Sequence, residues 1–302
     1  MQNIAKINLA IEQCKECPYC RRSEDGEKKF VCRHQDVTNG EAEVGDGSRV
    51  PDFCPFILKR LQTVYDYMTS GTITKRPKSF INQIEHKCED HPNPKFGADH
   101  GFEHIRRVTS IGLNLLDQFV AFGYVKPESV EREKLLFKIA AYLHDIGLAD
   151  QLSNHAAHSA EMAGKYLNDR TIDIDPGDIY LIYHAINNHS AGLDTNTAID
   201  ATLILADKLD TTGVRIKRAL DDLTKEQTKI TSTEFRMYRG EDVPVGAELR
   251  YTAKENFNVQ LFMKEWPKAV LIPRMVALEY LNLKWFKFIV NNEEVNITSI
   301  LH

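Results

Sequence analysis

The reading starts from AAYLHDIGLAD, Ala140 to Asp150. Apolar Ala140, Ala141 and Leu143 lead into His144 and Asp145, and Gly147 is expected to supply the left-handed position that commonly ends a helix. The His-Asp pair therefore falls in a last helical turn. A histidine there is easily explained, because imidazolium suits the negative end of the helix dipole, but a carboxylate at that end is repelled. Asp145 needs a cation nearby.

Working outward, the same 3.6-residue period recurs on both sides. DHGFEHIRRVTSIGLNLLDQFVAFG from Asp99 carries Ile105, Val108, Ile111, Leu115, Leu116 and Phe119 on one stripe. ESVEREKLLFKIAAYLHDIG, HAAHSAEMAGKYLND, PGDIYLIYHAINNHS and NTAIDATLILADKLD follow, separated by Gly, Pro, Asn and Asp. Five helices between Asp99 and Asp210 predict an all-α core.

Three of these helices offer ligands. His100 and His104 are four apart, so they share a face; His144 and Asp145 end a second helix; Asp207 lies among apolar Ile204, Leu205 and Ala206. A buried carboxylate without a partner is costly, so Asp207 also calls for a cation or a hydrogen-bond network. Imidazole with carboxylate suits Mn, Fe, Co, Ni or Zn, whereas an all-oxygen magnesium site has no use for histidines.

Order and spacing here resemble the HD superfamily of metal-dependent phosphohydrolases. The matching pieces are HIRRV from His104, LHDIG from Leu143 and LADKLD from Leu205, over roughly residues 96–225. The resemblance implies a helical bundle whose first metal is held by His104, His144, Asp145 and Asp207. HSAEMAG from His158 and AINNHSAG containing His189 look like the extra histidine motifs of members with two ions. By that likeness Asp145 bridges the ions while His158 and His189 bind the second, with His155 as the alternative ligand. The implied chemistry is attack of metal-activated water on a phosphoester or phosphoanhydride, with a nucleotide as the expected substrate. Lys208 and Arg215 are candidates to neutralise phosphate beside catalytic Asp145; the blander reading places Lys208 on a solvated face and Arg215 in a surface pair. Two rival functions share this ligand set: a dinuclear-iron oxygenase of the same fold, and a non-catalytic nucleotide-binding sensor.

The flanks differ in character. Cys14, Cys17, Cys20, Cys32 and Cys54 crowd the first 54 residues, in a Gly- and Asp-rich stretch with little apolar periodicity. Such a segment needs a cross-link, and Cys17, Cys20, Cys32 and Cys54 are expected to bind zinc as four thiolates; Cys14 competes for a place, and an iron–sulfur cluster is the lesser alternative. Phe56 to Met68 has helical spacing, and Gly71 and Pro77 then break the period. After Arg215, RIKRALDDLTKEQTK reads as a helix, ITSTEFRMY, ELRYTAKE and NFNVQLFMKEW as strands, and AVLIPRMVALEYLNLKWFKFIV as helix again.

The expected organisation is a mainly α chain: a cysteine-rich metal-binding module at 1–56, a connecting helix and loops at 57–95, an HD helical bundle at 96–225, and an α+β region at 226–302. Composition is that of an ordinary globular protein, 42% hydrophobic and 27% charged with a net charge of −5, which disfavours nucleic acid as a partner. No apolar run reaches membrane-spanning length and MQNIAKINLA lacks a signal-peptide core, so the expected setting is cytoplasmic, with a small phosphorylated substrate and with homo-oligomers allowed.

Overall fold

The computed structural model describes residues 20–22, 30–32, 42–43, 54–69, 75–90, 94–150, 153–169, 172, 174–190, 195–240 and 245–298. The chain divides into two compact units, Met1–Thr63 and Val64–His302. In the first, β1 (Cys20–Arg22), β2 (Phe30–Cys32) and β3 (Ala42–Glu43) form an antiparallel sheet in chain order. Its register sets Cys20 directly opposite Cys32. Cys54 is described and buried, while Cys14 and Cys17 lie outside the described residues. Helix α1 runs Pro55–Thr69.

Where the sequence reading left a connective stretch or a short helix with loops, the second unit has a 16-residue helix, α2 (Lys75–Asp90). Pro77 is its third residue, and a proline is tolerated there because first-turn N–H groups have no intrahelical partner. The expected five helices follow: α3 (Phe102–Ala121), α4 (Val130–Leu143), α5 (His155–Leu167), α6 (Pro176–Asn188) and α7 (Ala198–Leu209). Their starts are written in the sequence. Asp175 caps α6 by accepting the Gly177 N–H at 2.7 Å, with Pro176 in the first helical position. Thr197 and Asp200 cap α7 reciprocally, at 3.1 and 2.9 Å.

Every residue of α7 from Ile199 to Leu209 is buried, its charged members held in pairs, Asp200 with His184 and Asp207 with Lys208. Around it pack α3, α4 and α6. Helix α3 meets α4 at Gly112, where a Cβ would fall 2.0 Å from Phe137 Cζ. Helix α4 stops at Leu143, so His144 caps it and Asp145 sits just beyond, before a 3-10 turn at Ile146–Ala149. Gly147 does not take the expected left-handed conformation, which among described glycines belongs to Gly123. Glycine is needed at 147 for room, because a Cβ would lie 2.6 Å from the Ser159 amide nitrogen.

The C-terminal region is α+β with a different division of labour from the one expected. Of RIKRALDDLTKEQTK only α8 (Asp222–Gln227) is helical. Strands β4 (Ile230–Tyr238) and β5 (Gly246–Ala253) fall where alternation placed them. NFNVQLFMKEW, read as a strand, is instead α9 (Val259–Glu265), because Asn258 caps it by accepting the Leu261 N–H at 3.0 Å. After α10 (Lys268–Met275) and a π turn at Val276–Tyr280, the tail of the expected helix becomes β6 (Trp285–Val290), followed by β7 (Glu293–Glu294). The sheet order is β4-β5-β6-β7; β5 and β6 are parallel, so α9 and α10 form the crossover between them. On the outer side of β4 the Gln118 side chain donates to the Phe235 carbonyl at 3.2 Å and accepts the Met237 N–H at 3.3 Å. Among the described residues no helix is long and apolar enough to cross a membrane.

Candidate metal centre

Buried side chains from α3, the end of α4, the end of α6 and the end of α7 converge on one point. His104 Nε2 lies 3.1 Å from His144 Nε2, 3.4 Å from Asp207 Oδ1 and 3.7 Å from Asp145 Oδ2. His144 Nε2 is 3.2 Å from Asp145 Oδ2, and His189 Nε2 is 3.4 Å from Asp145 Oδ1. Two overlapping groups result, His104–His144–Asp207 and His144–Asp145–His189, each with its ligand atoms within 4.8 Å of one another.

The far side of each imidazole says which nitrogen carries the proton. His144 Nδ1 meets the Ala141 carbonyl at 2.8 Å and His189 Nδ1 the Ile186 carbonyl at 2.6 Å. A carbonyl has no proton to give, so both Nδ1 atoms donate. His104 Nδ1 donates to Asp210 Oδ2 at 2.6 Å. In the neutral imidazoles all three Nε2 lone pairs therefore point into the cluster, at each other and at two carboxylates. Arg215 Nη2, 3.5 Å from His104 Nε2, offsets only part of the resulting repulsion, and the set is the one a transition metal takes.

Burial pushes the Asp145 carboxyl upward, but His144, His189 and His100 together hold the group well below the usual carboxylate range. Asp207 is likewise driven up by burial and held well below by Lys208, His104 and Arg215. Burial lowers His144, and adjacent Asp145 more than reverses this, so its imidazole is raised. A proton on His144 would satisfy Asp145 Oδ2. It does nothing for Asp145 Oδ1, which is buried with no hydrogen-bond donor and faces His155 and His189. The residues present fit a divalent ion better than they fit one another.

Charge tells the same story. Asp99, Asp145, Asp207 and Asp210 are grouped with Arg107, Lys208 and Arg215, leaving these named groups one negative charge in excess. One divalent ion turns that into a net positive charge, which attracts an anion. Lys208 is not solvated and Arg215 is not in a surface pair: both are buried, Lys208 Nζ 2.6 Å from Asp207 Oδ2 and Arg215 Nη2 3.6 Å from Asp207 Oδ1. Arg215 also donates to the Asp99 and Asp210 carbonyls, at 3.2 and 2.9 Å.

The structure thus brings His104, His144, Asp145, Asp207 and His189 together with Lys208 and Arg215. His158 it places elsewhere: its Nε2 pairs with Asp150 Oδ2 at 3.5 Å, toward the surface. The α5 histidine facing Asp145 is His155, with Nε2 3.5 Å from Oδ1 and its ring 5.2 Å from that of His189. The two share a face of α5 but lie about 4.5 Å apart along its axis, and His155, the first residue of the helix, is the one against Asp145. His100 donates Nδ1–H to the Ala98 carbonyl at 2.9 Å and packs its ring 5.7 Å from His104. His184 is turned to Asp200, at 3.0 Å.

Sequence reasoning missed Asp210, Arg107 and Asp99. A signal existed for the first two, because Asp210 follows Asp207, and Arg107 follows His104, by three residues each.

No curated protein matches the chain. Residues 101–223 match the family model described as HD domain. With the ordered His, His-Asp and Asp ligands meeting at its centre, the helical core of the chain is an HD domain, a fold of the metal-dependent hydrolase type.

Proposed function

We propose that the protein is a metal-dependent phosphohydrolase acting on a small phosphorylated substrate, a nucleotide by preference. The observation that carries the reading is the convergence of three Nε2 lone pairs and two ionised carboxylates beside two buried cations. His104, His144, Asp145 and Asp207 would hold one ion; Asp145, His189 and His155 would hold a second, of Mn, Fe, Co, Ni or Zn type. When bound, such ions supply the Lewis acidity that activates water and offsets charge on phosphoryl oxygens. Hydrolysis joins the water oxygen to phosphorus and breaks the ester or anhydride P–O bond, and the leaving oxygen takes up a proton. Lys208 has three N–H donors and spends one on Asp207, so it can donate to a phosphoryl oxygen. Arg215, pinned by backbone carbonyls, supplies a fixed positive charge.

The test is turnover of nucleotides and an aryl phosphate by metal-stripped protein reloaded with Mn²⁺ or Fe²⁺. Hydrolysis is expected with the reloaded protein alone. Oxygen-dependent, iron-specific turnover would favour the oxygenase, and tight nucleotide binding without turnover the sensor. Replacing His155 by alanine should lower the bound Mn²⁺ from two ions to one per chain, while His158→Ala should leave two. Metal analysis after gel filtration decides this, and the opposite pattern would restore His158 as the ligand.

For the N-terminal module the reading is zinc on cysteine thiolates. Its support is the backbone register, which pairs Cys20 with Cys32 across the antiparallel strands. Cys20→Ser and Cys32→Ser should each remove about one zinc per chain and leave the Mn²⁺ content of the helical site unchanged. Zinc unaltered in both variants would remove the thiolate site.

A further inference from the structure

The three inward imidazoles are not backed alike. His144 and His189 lean on neutral carbonyls three residues back in their own helices, Ala141 and Ile186. His104 leans on a carboxylate. Asp210 Oδ2 accepts its Nδ1–H at 2.6 Å, and Asp210 Oδ1 accepts from Arg107 Nε at 2.7 Å. The other arm of Arg107 reaches Asp99 Oδ2 at 3.0 Å, and Asp99 Oδ1 accepts the Gly101 N–H at 3.0 Å. With both oxygens engaged, Asp210 is no ligand itself. It differs in this from Asp207, which gives Oδ2 to Lys208 and turns Oδ1 toward the histidines.

A charged acceptor on Nδ1–H fixes the tautomer and makes the opposite nitrogen a better electron-pair donor than a neutral carbonyl does. His104 belongs to the His104–His144–Asp207 group and not to the His144–Asp145–His189 group. The backing is therefore delivered to one of two overlapping sites.

We propose that Asp210, clamped by Arg107 and Asp99, is a positioning residue that makes the His104–His144–Asp207 group the tighter of two cation sites. The inference rests on the reading that this cluster binds ions. It assigns the buried Asp99–Arg107–Asp210 chain a task beyond tying the start of α3 to the end of α7. A chain that only ties them would, when cut, weaken both sites together or neither.

The experiment is Mn²⁺ titration of metal-stripped, full-length protein, with free Mn²⁺ read by electron paramagnetic resonance. Wild type should show two classes of site. Asp210→Asn keeps the shape and an amide oxygen for the Nδ1–H but removes the charge; it should weaken the tight class about 10- to 100-fold and leave the weak class within about twofold. Arg107→Gln, which loosens the clamp and spares the carboxylate, should weaken the same class by less and serves if Asp210→Asn does not fold. Long-range ¹H–¹⁵N spectra of metal-free protein should show His104 as the Nδ1–H tautomer in wild type and a mixture of tautomers in Asp210→Ala. A tight class unchanged in a folded variant, equal weakening of both classes, a single class in wild type, or His104 carrying its proton on Nε2 would each overturn the inference. Wild type that takes up no Mn²⁺ would overturn the metal reading as well, so the two failures are told apart.

Discussion

Replacing Asp145 by alanine should remove both ions and all measurable hydrolysis, a larger loss than replacement of His155 or His189 produces. Geometry is the reason. Oδ2 lies 3.2 and 3.7 Å from His144 and His104, and Oδ1 lies 3.4 and 3.5 Å from His189 and His155. One carboxylate thus faces ligand atoms of both groups, as His144, their common member, also does, whereas His155 and His189 lie against Oδ1 alone. Removing a group one shell outside a metal typically costs 10- to 100-fold, so loss of a shared direct ligand should exceed about 100-fold. Bound Mn²⁺ after gel filtration and aryl phosphate turnover at saturating substrate measure both effects, with circular dichroism to show that the helices persist. Similar residual activity in Asp145→Ala, His155→Ala and His189→Ala would mean that the carboxylate is not shared.

The largest expected effect on stability lies far from any ligand. Gly112→Ala should destabilise the protein by about 3 kcal/mol, the upper end of the cost of overfilling a packed core. The gain in helix propensity, at most about 1 kcal/mol, has the opposite sign and is smaller. A Cβ at 112 would sit 2.0 Å from Phe137 Cζ, and Phe137 is fully buried, so its ring has nowhere to go without moving α4. Because α4 delivers His144 and Asp145, the same variant should bind Mn²⁺ more weakly. A second change that makes room, Phe137→Leu, should recover part of the loss, with a coupling of about 1–3 kcal/mol between the two sites. Urea denaturation of the four proteins closes the cycle. A Gly112→Ala protein at least as stable as wild type would show that the α3–α4 contact yields easily.

What was legible from the chain follows its periodicity. The five helices α3 to α7 repeat apolar residues every three to four positions, and α6 and α7 carry their own caps as well, so pattern and packing agree. Position along a helix is harder to read. His155 and His158 are three residues apart, so they share a face and differ mainly in height along α5, which spacing alone does not relate to Asp145. Asp210 escaped although it follows Asp207 by three residues, because it is the cap just past the last residue of α7, where that spacing is a weaker guide to direction. In the C-terminal region NFNVQLFMKEW and LKWFKFIV are both short and apolar, and such runs read equally as strand or helix. The Asn258 cap settled one, and pairing of β6 with β5 settled the other.

The Gln118 amide on β4 carries a consequence for how the molecule behaves in a crowd. A strand at the rim of a sheet offers its unpaired N–H and C=O groups as a template for another chain. At Phe235 and Met237 the donor and acceptor of that rim are already answered by one side chain, in the pattern a neighbouring strand would use. The glutamine is a one-residue stopper: it ties the sheet to α3 and denies a stranger the centre of the rim.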